Sequence, residues 1–560
     1  MGRCEMEWQI SGIDQARMEQ FAEDAGIGRI FAGLLLQRDI VDKQAVKRFI
    51  WPDIRLLHDP FLLNDMEQAV DRIRKARERG EHVTVYGDYD VDGVTSTAVI
   101  LQCLHSLGVD ADFYIPHRVE EGYGIHKEAV DEIQKRGSTL IVTVDTGITA
   151  LDEVAYAKTL GIDCIVTDHH QPFEALPQAV AVINPARADS SYPFSSLAGV
   201  GVAFKLVCAL LREHDIKSVL GQYIDLVCLG TISDVVPLIG ENRIFAKFGL
   251  KILNKTNNIG IKALLKLSGA KSVNSTTVGF MLGPRINAAG RMERAEEALR
   301  LLLAESTEQA ERQAHLLCEI NQKRQQTELM ILQQAIEMMG HDFDDRKVIV
   351  LAHTDWHQGV IGIVASKLLD RYHKPVILLR VEDGIAHGSA RSIPGFHMFD
   401  ALCECEELLE RFGGHELAAG LTIREENIAP FTVLINEIAD IVISPGALLP
   451  TLAVNMVLKP EEVTLELAEK LGFFEPFGAG NPTPVFAMYE LEVTESKPTR
   501  DGKHLRLTVK KRGLYFSCIG FGMGDAEISI GDWIDIAFEL SINEYNNIRN
   551  LNLVLKDIKK

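Results

Sequence analysis

The sequence predicts an α/β protein with a parallel-sheet domain, a long connector helix, a second smaller α/β domain and a C-terminal OB-like β-barrel. Between residues 83 and 240, short apolar strands alternate with amphipathic helices, as parallel βαβ units require. Residues 305–340 carry a long helical pattern, and from about residue 450 short β-rich segments follow one another through turns. A chain of 560 residues also exceeds what one core usually organises.

Composition sets limits on the class of protein. The apolar fraction of 46% and the net charge of −21 argue against a protein that coats nucleic acid by bulk charge, but they allow a basic groove. The nine cysteines have no zinc or disulfide spacing, which suits a reducing compartment. The first residues lack signal-peptide blocks, and no apolar run approaches the roughly 20 residues of a membrane span. We therefore expect a cytoplasmic protein without a membrane segment.

The stretch from residue 83 to residue 93 is predicted to form a strand, an acidic loop and the start of a helix. Asp88, Asp90 and Asp92 occupy alternate positions after Gly87, which breaks the strand. In an open α/β sheet this loop lies at the carboxyl edge, where ligands bind. Three close carboxylates repel one another, so a divalent cation with oxygen ligands is the expected partner. The alternative is an acidic surface turn with an Asp helix cap.

Polar residues follow later strands of the same region. Asp145 comes directly after the strand at 139–144, and the triplet 168–170, Asp-His-His, follows the strand at 164–167. Because parallel strands end at one edge, we expect these groups to lie beside the acidic loop. Asp234 is the lone acid of an apolar helix at 226–237, where a carboxylate is costly unless it is paired or binds a metal.

These residues together predict a centre for two divalent ions. Oxygen donors with one imidazole suit Mn²⁺ or Mg²⁺, and two such ions form a clamp for in-line phosphoryl displacement. Asp145 is the natural bridging ligand. His170 would then contact the phosphate or assist proton transfer, although a structural His pair is the alternative. The candidate ligands are Asp90, Asp92, Asp145, His169 and Asp234, with Asp88 as a further candidate.

The remaining chain supplies domain boundaries and possible contacts. Residues 283–291 are predicted to form a Gly-punctuated loop, 385–392 a strand of small residues, and 411–420 a Gly-Gly-His turn. Residues 497–512 hold seven Lys or Arg and one acid, which favours a phosphate-backbone groove or, alternatively, a solvated hairpin face. We place a lead-in segment at 1–60, the parallel-sheet domain at 61–300, the connector helix at 301–342, the second α/β domain at 343–445 and the OB-like domain at 446–560.

Several motifs resemble those of a known family. The stretches at 88–93 (DYDVDG), 144–147 (VDTG), 168–170 (DHH) and 233–236 (SDVV) look like the four motifs of the DHH phosphoesterase superfamily. The segments GSARS and GGH, ending at Ser392 and His415, resemble its associated C-terminal domain. Together with LHDPFLL, RVEEGYG, RINAAGR and the OB-like end, the chain is similar to the RecJ exonuclease family over nearly its whole length.

The resemblance implies a two-metal 5′→3′ exonuclease that hydrolyses single-stranded DNA to mononucleotides in recombination and repair. It implies Mn²⁺ or Mg²⁺ as cofactor, and we expect a monomer that works with a helicase and a single-strand-binding protein. By this resemblance, Asp90, Asp92, Asp145, His169 and Asp234 are metal ligands, Asp88 and His170 are catalytic, Arg118, Ser389 and Arg391 hold the 5′ phosphate, and Arg285, Arg291 and His415 face the strand.

Purely structural roles are the alternatives for some of these positions, and two other functions are alternatives to the exonuclease. Arg285 or Arg291 could form a structural salt bridge, Ser389 a tight strand contact, and His415 a satisfied surface site. One functional rival is a superfamily phosphodiesterase acting on short oligonucleotides, cyclic dinucleotides or pyrophosphate, which would not need the OB-like module. The other is a non-cleaving DNA-binding scaffold, which loss of metal ligands would favour. We also expect no further domain after the OB-like region.

Overall fold

The architecture is described from a computed structural model of the protein, which covers residues 6–340, 346–545 and 548–560. The predicted boundary at 342/343 and the first five residues lie outside the described residues. None of the helices described has both the length and the apolar character needed to cross a membrane.

The N-terminal segment packs on the barrel at the other end of the chain. Phe31 and Phe49 lie edge-on to Phe474, with ring centroids 4.6 and 5.5 Å apart. The sequence alone treats this stretch as a lead-in, whereas in the fold its apolar residues belong to the core of the barrel. Its elements are β1 (Glu7–Ile10), α1 (Gln15–Ala25), α2 (Arg29–Leu36) and α3 (Lys43–Ile50).

The predicted parallel sheet is confirmed. Its strands lie in the order β3-β2-β4-β5-β6, and each neighbouring pair is parallel. The apolar strands are buried between helices on both faces, which explains their near-continuous hydrophobic runs. The elements are α4 (Met66–Arg79), β2 (His82–Gly87), α5 (Val91–Ser106), β3 (Asp110–Tyr114), α6 (Lys127–Lys135), β4 (Ser138–Val144), α7 (Leu151–Thr159), β5 (Asp163–Thr167) and β6 (Ala181–Ile183).

Helices then lead to the connector. The prediction of a loop at 283–291 is wrong, because these residues form a helix with Pro284 in its first turn. Its glycines serve close packing, since a Cβ on Gly290 would lie 2.6 Å from the carbonyl oxygen of Tyr89. The elements are α8 (Gly199–Leu210), α9 (Ile216–Ser233), α10 (Gly240–Leu253), α11 (Ile259–Ser268), α12 (Ser275–Thr277), a π-helical turn (Val278–Leu282), α13 (Gly283–Met292), α14 (Glu296–Leu302) and the connector α15 (Thr307–Met339).

The second α/β domain contains a mixed sheet in the order β10-β11-β9-β8-β7. Only the pair β7–β8 among these described strands is parallel, because α16 crosses between them; hairpins join β8 to β9 and β10 to β11, and β11 pairs with β9 after the chain has passed through α17 and β10. The elements are β7 (Ile349–His353), α16 (Gln358–Tyr372), β8 (Val376–Glu382), β9 (Ile385–Arg391), α17 (Met398–Cys403), β10 (Leu409–Gly414), β11 (Ala418–Arg424) and α18 (Ile428–Val442).

The C-terminal strands close into the predicted OB-like barrel. The last two strands pair with each other, and they also pair with β14 and β16 respectively, so the sheet returns on itself. The strands are longer than the sequence pattern predicts. The elements are β12 (Thr451–Val454), β13 (Met456–Val457), α19 (Leu465–Leu471), β14 (Phe486–Pro498), β15 (Leu505–Lys511), β16 (Leu514–Gly520), β17 (Trp533–Tyr545) and β18 (Ile548–Lys559).

Candidate metal centre and nucleic-acid interface

The acidic loop is shorter than the sequence suggests, because α5 begins at Val91. Asp90 caps this helix, and its Oδ1 accepts from the backbone N–H groups of Asp92 and Gly93 at 2.8 and 3.1 Å. The helix cap, which the sequence offered as the alternative to a metal ligand, is therefore present. It uses only Oδ1 of Asp90, so Oδ2 is left for another partner. Asp88 is buried before the cap, and its Oδ1 has no hydrogen-bond partner.

Asp92 lies in the first turn of α5 and faces the start of α8. Its two oxygens accept from the backbone N–H groups of Gly199 and Val200 at 2.6 and 2.9 Å. The positive end of the α8 dipole thus supports a buried carboxylate. A Cβ on Gly199 would lie 2.5 Å from Oδ1 of Asp145, so α8 approaches this closely only with glycine there.

Asp145 leaves β4 in a left-handed conformation with φ of 60°. This region disfavours most side chains, although Asp tolerates it better than others, and such strain often occurs at functional sites. Its N–H donates to the carbonyl oxygen of Thr167 at 3.0 Å, which ties the end of β4 to the end of β5. Oδ1 of Asp145 is buried without a hydrogen-bond partner.

The Asp-His-His triplet after β5 separates into two different environments. Nε2 of His169 lies 3.1 Å from Oδ1 of Asp145, 3.7 Å from Asp234 and 3.9 Å from Asp92. His170 is instead held by Asp168, whose Oδ1 lies 2.8 Å from its Nδ1. Asp168 is fully buried, and it also accepts from the backbone N–H groups of the two histidines and of Ile148.

The structure brings the predicted acids and imidazoles together. Three overlapping groups each place one oxygen or ring nitrogen per residue within 4.8 Å of the others. Asp145 belongs to two of them, consistent with a bridging position. The groups are Asp88, Asp90 and Asp145; Asp92, His169 and Asp234; and Asp145, His169 and His170.

Burial and mutual repulsion perturb these groups strongly. Burial, followed by the charges of nearby carboxylates, raises the pKa values of Asp88, Asp92 and Asp145 well above the ordinary range. The same causes raise the pKa of Asp234 to about 6. Burial and the neighbouring imidazole lower the pKa of His169 to about 4.

The two members of the Asp168–His170 pair shift in opposite directions. Burial opposes charge on both groups, but their hydrogen bond dominates, so the pKa of Asp168 falls and that of His170 rises. The protonated imidazole is therefore favoured beside a fixed carboxylate.

The chemistry of the donor set fits a hard divalent cation. Nε2 of His169 and Oδ1 of Asp145 face each other across 3.1 Å, and neither has a hydrogen-bond partner. Buried acceptors of this kind are costly unless a cation satisfies them. Oxygen ligands with one imidazole are the set that Mn²⁺ and Mg²⁺ accept.

An arginine cluster lies beside the acids. The guanidinium of Arg118 lies 4.7 Å from the ring centre of Tyr89. Arg391 donates from Nη1 to Oγ of Ser389 at 3.1 Å, so the predicted pair is in contact. Burial and then the charges of Arg118 and Arg324 lower the pKa of Arg291 to about 9. The arginines repel one another, and an anion bound among them would relieve that repulsion.

Arg285 and His415 differ from that cluster. Arg285 donates from Nη1 to the carbonyl oxygen of Met281 at 2.6 Å, within its own helix region, and its buried Nε has no partner. His415 is exposed on the β10–β11 turn. The next strand pairs Ala418 with Arg391, so the turn lies near the end of the strand that carries the arginine.

The barrel carries an open groove of about 1070 Å³. Tyr515 and Phe521 are 62% and 57% exposed and line it. Lys497 and Arg506, from the basic stretch, also line it, which favours the groove interpretation over the solvated hairpin. Cations and exposed rings in one concave surface can bind a phosphate backbone and stack bases.

Sequence reasoning missed several residues of the centre. The sequence analysis assigned no role to Asp168, the first residue of the Asp-His-His triplet. A carboxylate directly before two histidines could have indicated a partner that orients an imidazole. The amides of α8 and the hydroxyl of Tyr123, which lies 3.0 Å from Nδ1 of His170, gave no signal in the sequence. Arg324 lies on the connector helix, far along the chain from the other arginines.

Comparison with protein families matches most of the chain. The DHH family N-terminal domain matches residues 82–231, the DHHA1 domain matches 345–440 and the RecJ OB domain matches 454–557. These matches coincide with the parallel sheet, the mixed sheet and the barrel.

Individual relatives match over nearly the whole chain. A single-stranded-DNA-specific exonuclease RecJ of Bacillus subtilis is 41% identical over 560 residues, covering 99% of this chain and 70% of that protein. The RecJ of Escherichia coli is 36% identical, covering 89% of this chain and 90% of the relative. The crystal structure of RecJ from Thermus thermophilus with Mn²⁺ superposes with a TM-score of 0.86 at 29% identity, covering 99% of this chain and 80% of that one. A second structure of the Thermus protein contains Mg²⁺ and gives a TM-score of 0.81.

Proposed function

This chain belongs to the RecJ family of single-stranded-DNA-specific exonucleases, and we propose that it removes mononucleotides from the 5′ end of single-stranded DNA with two divalent ions. It is a hydrolase of the DHH class with Mn²⁺ or Mg²⁺ as cofactor. The observation that carries the proposal is the pair of buried acceptors, Nε2 of His169 and Oδ1 of Asp145, without a donor between them. A divalent cation bound there would satisfy both atoms, at the point where the proposal puts the phosphodiester.

The metal ligands are assigned from the clustering. Asp145 would bridge, with Asp88 and Asp90 on one side and Asp92, His169 and Asp234 on the other. When bound, the ions would supply Lewis acidity toward the phosphate and its attacking water. Asp88 has a buried, unsatisfied oxygen beside Asp90, so it acts as a ligand or holds a proton at the centre.

His170 would act on the substrate directly. Its Nδ1 is occupied by Asp168, which fixes the ring and favours its protonated form. The other ring nitrogen can then donate to a non-bridging phosphate oxygen or deliver a proton to the leaving oxygen. The carboxylate remains ionised and acts as a positioning group.

The arginine cluster would define the polarity of digestion. Arg118, Arg391 and Ser389 are proposed to hold the terminal 5′ phosphate, and Arg291 an adjacent phosphate. Arg391 already contacts Ser389, and the mutual repulsion of the arginines is relieved by an anion. A terminal phosphate beside the metal centre places the first phosphodiester at the ions. The same proposal assigns Arg285 and His415 to contacts with the strand.

The barrel groove would hold the DNA that follows. Its exposed rings offer stacking without sequence preference, and its cations offer salt-dependent backbone contacts. A dinucleotide or cyclic dinucleotide would leave this surface unused, so no contact favours those substrates. The complete ligand set also gives no support to a non-cleaving scaffold.

The remaining assignments are also proposals. We propose a monomer acting in recombination and repair beside a helicase and a single-strand-binding protein, because an enzyme limited to single strands needs another protein to open the duplex. We also propose a cytoplasmic location, where a single-stranded DNA substrate would be met. The division into five segments at 60, 300, 342 and 445 is kept as the proposed domain scheme.

One digestion experiment tests the function. Single strands labelled at the 5′ or the 3′ end are incubated with Mn²⁺, and duplex DNA and a dinucleotide serve as matched substrates. We expect immediate release of labelled mononucleotide from the 5′ label and shortening of the 3′-labelled strand, with little cleavage of the duplex. Preferred hydrolysis of the dinucleotide, or release from the 3′ end, would contradict the proposal.

A further inference from the structure

Hydrogen bonds hold the 116–124 loop, between β3 and α6, to itself and to the sheet. Glu121 accepts from the backbone N–H of His117 at 2.5 Å and from the hydroxyl of Tyr114 at 2.8 Å. The backbone N–H of Glu121 donates back to the carbonyl oxygen of His117 at 2.8 Å. At the far end, the hydroxyl of Tyr86 donates to the carbonyl oxygen of Gly124 at 3.0 Å. The loop is therefore fixed to the sheet at both ends.

Two functional contacts project from this unit in different directions. Arg118 lies over the ring of Tyr89 within the arginine cluster. Tyr123 lies edge-on to the ring of His170, with ring centroids 5.4 Å apart. Gly122 and Gly124 flank Tyr123 with φ values of 89° and 103°, a backbone that places the ring and that other residues rarely adopt.

The hydroxyl of Tyr123 completes the support of His170. Its oxygen lies 3.0 Å from Nδ1, the same nitrogen that faces Asp168, so it accepts a share of that N–H. The hydroxyl proton is donated to the carbonyl oxygen of Asp145 at 3.3 Å. One oxygen thus links the ends of β4 and β5 to the loop, and the other nitrogen of His170 is left for substrate.

We propose that Tyr123 is a positioning residue that couples recognition of the 5′ end by Arg118 to the orientation of His170. Because these hydrogen bonds hold both residues in one loop, an anion that holds Arg118 in place would also hold Tyr123 against the imidazole. End binding would then improve the alignment of the catalytic ring as well as the affinity. The proposal rests on the proposed function of the same centre.

The first test measures kcat and KM separately for 5′-phosphorylated and 5′-hydroxyl single strands with Mn²⁺. For Tyr123→Phe, which keeps the ring, we expect kcat on the phosphorylated strand to fall about tenfold while KM changes by less than about twofold, as for loss of one hydrogen bond in the transition state. In this variant the 5′ phosphate should still lower KM but no longer raise kcat. Equal kcat values for variant and wild type would overturn the proposal.

The second test asks whether Tyr123 acts through His170. In a double-mutant cycle, Tyr123→Phe should lower kcat no further in a His170→Gln background. If the kcat losses of the two single variants multiply in the double variant, Tyr123 acts independently of His170 and the proposal is overturned. Tyr156→Phe is the matched control, because that hydroxyl bonds Asp131 on the protein surface, and its kcat should equal that of the wild type.

Two measurements that do not depend on catalysis distinguish a positioning role of Tyr123 from a general loss of structure. The melting temperature and the Mn²⁺ affinity of Tyr123→Phe, measured by calorimetry, should match those of the wild type. A large loss of either would assign Tyr123 a structural role and overturn the proposal. Failure of the wild-type protein itself to digest single strands would instead contradict the proposed function.

Discussion

Nε2 of His169 lies 3.1 Å from Oδ1 of Asp145, although the two residues end different strands of the sheet. Neither atom has a hydrogen-bond partner, and the low pKa of the imidazole leaves it neutral at physiological pH. Two acceptors in contact raise the free energy of the metal-free protein. A cation bound between them would satisfy both atoms.

Replacing Asp145 by Asn should abolish catalysis without unfolding the protein. The amide keeps the shape of the side chain but removes the charge that would bridge two ions. We expect hydrolysis of single-stranded DNA with Mn²⁺ to fall by more than about a hundredfold. Circular dichroism and the melting temperature without metal should stay close to those of the wild type. Retained cleavage would remove Asp145 from the metal centre.

Mn²⁺ should stabilise the folded protein markedly. An ion that binds only the native state adds about 2.7 kcal/mol to the free energy of unfolding at a hundredfold excess over Kd. Thermal melts with EDTA and with Mn²⁺ measure the difference. Asp90→Asn should reduce the shift, whereas Asp131→Asn, on the surface of α6, should leave it unchanged. An equal shift in both variants would contradict the assigned site.

Asp234 should contribute to the metal-free protein a stability that is lost as pH rises from about 4 to above 6, while the lowered pKa of His169 contributes in the opposite direction. The folded-state pKa of Asp234 is raised to about 6 from 3.8, so the native state binds more protons than the unfolded chain between these values. Stability is therefore present below the unfolded pKa and is lost as pH rises through the folded one. Urea titrations in EDTA across this range measure the trend. Asp234→Asn removes this contribution, so the stability of the variant relative to the wild type should rise with pH, and a difference that stays constant over this range would contradict the expectation.

Arg391→Ala should weaken the preference for 5′-phosphorylated ends. Removing a charged hydrogen-bond donor from a partly buried anion site should reduce the ratio of kcat/KM between phosphorylated and hydroxyl ends by roughly tenfold or more. Arg424→Ala is the matched control, because Arg424 ends the neighbouring strand β11 and pairs with exposed Glu410. An unchanged end preference in Arg391→Ala would exclude this residue from the phosphate site.

Tyr515→Ala and Phe521→Ala should raise KM for long single strands. Each lost stacking contact costs about 1–3 kcal/mol of binding, and dinucleotide hydrolysis should be unaffected. Trp533 is 65% exposed and does not line the groove, so Trp533→Ala is the control. Equal effects of all three substitutions on long strands would show that the groove has no special role.

The elements of the fold follow closely from sequence. Apolar runs of four to six residues predict β2, β4 and β5, because a strand buried on both faces needs no polar alternation. The exception at 283–291 arises because glycine and alanine suit both a loop and a tightly packed helix. The close approach of Tyr89 to Gly290, which suits the packed helix, is seen only in the tertiary structure.

The sequence by itself determined that acids and imidazoles follow parallel strands, and hence that they share one sheet edge. Tertiary packing decided which atoms face each other: the amides of α8 on Asp92, Asp168 and Tyr123 on His170, and the N-terminal helices on the barrel core. The physical reason is that the hydrophobic periodicity and the turn residues of a sequence reflect only which side of each local element is buried. Distances between side chains far apart in the chain arise only when separate helices and sheets bury their surfaces against one another.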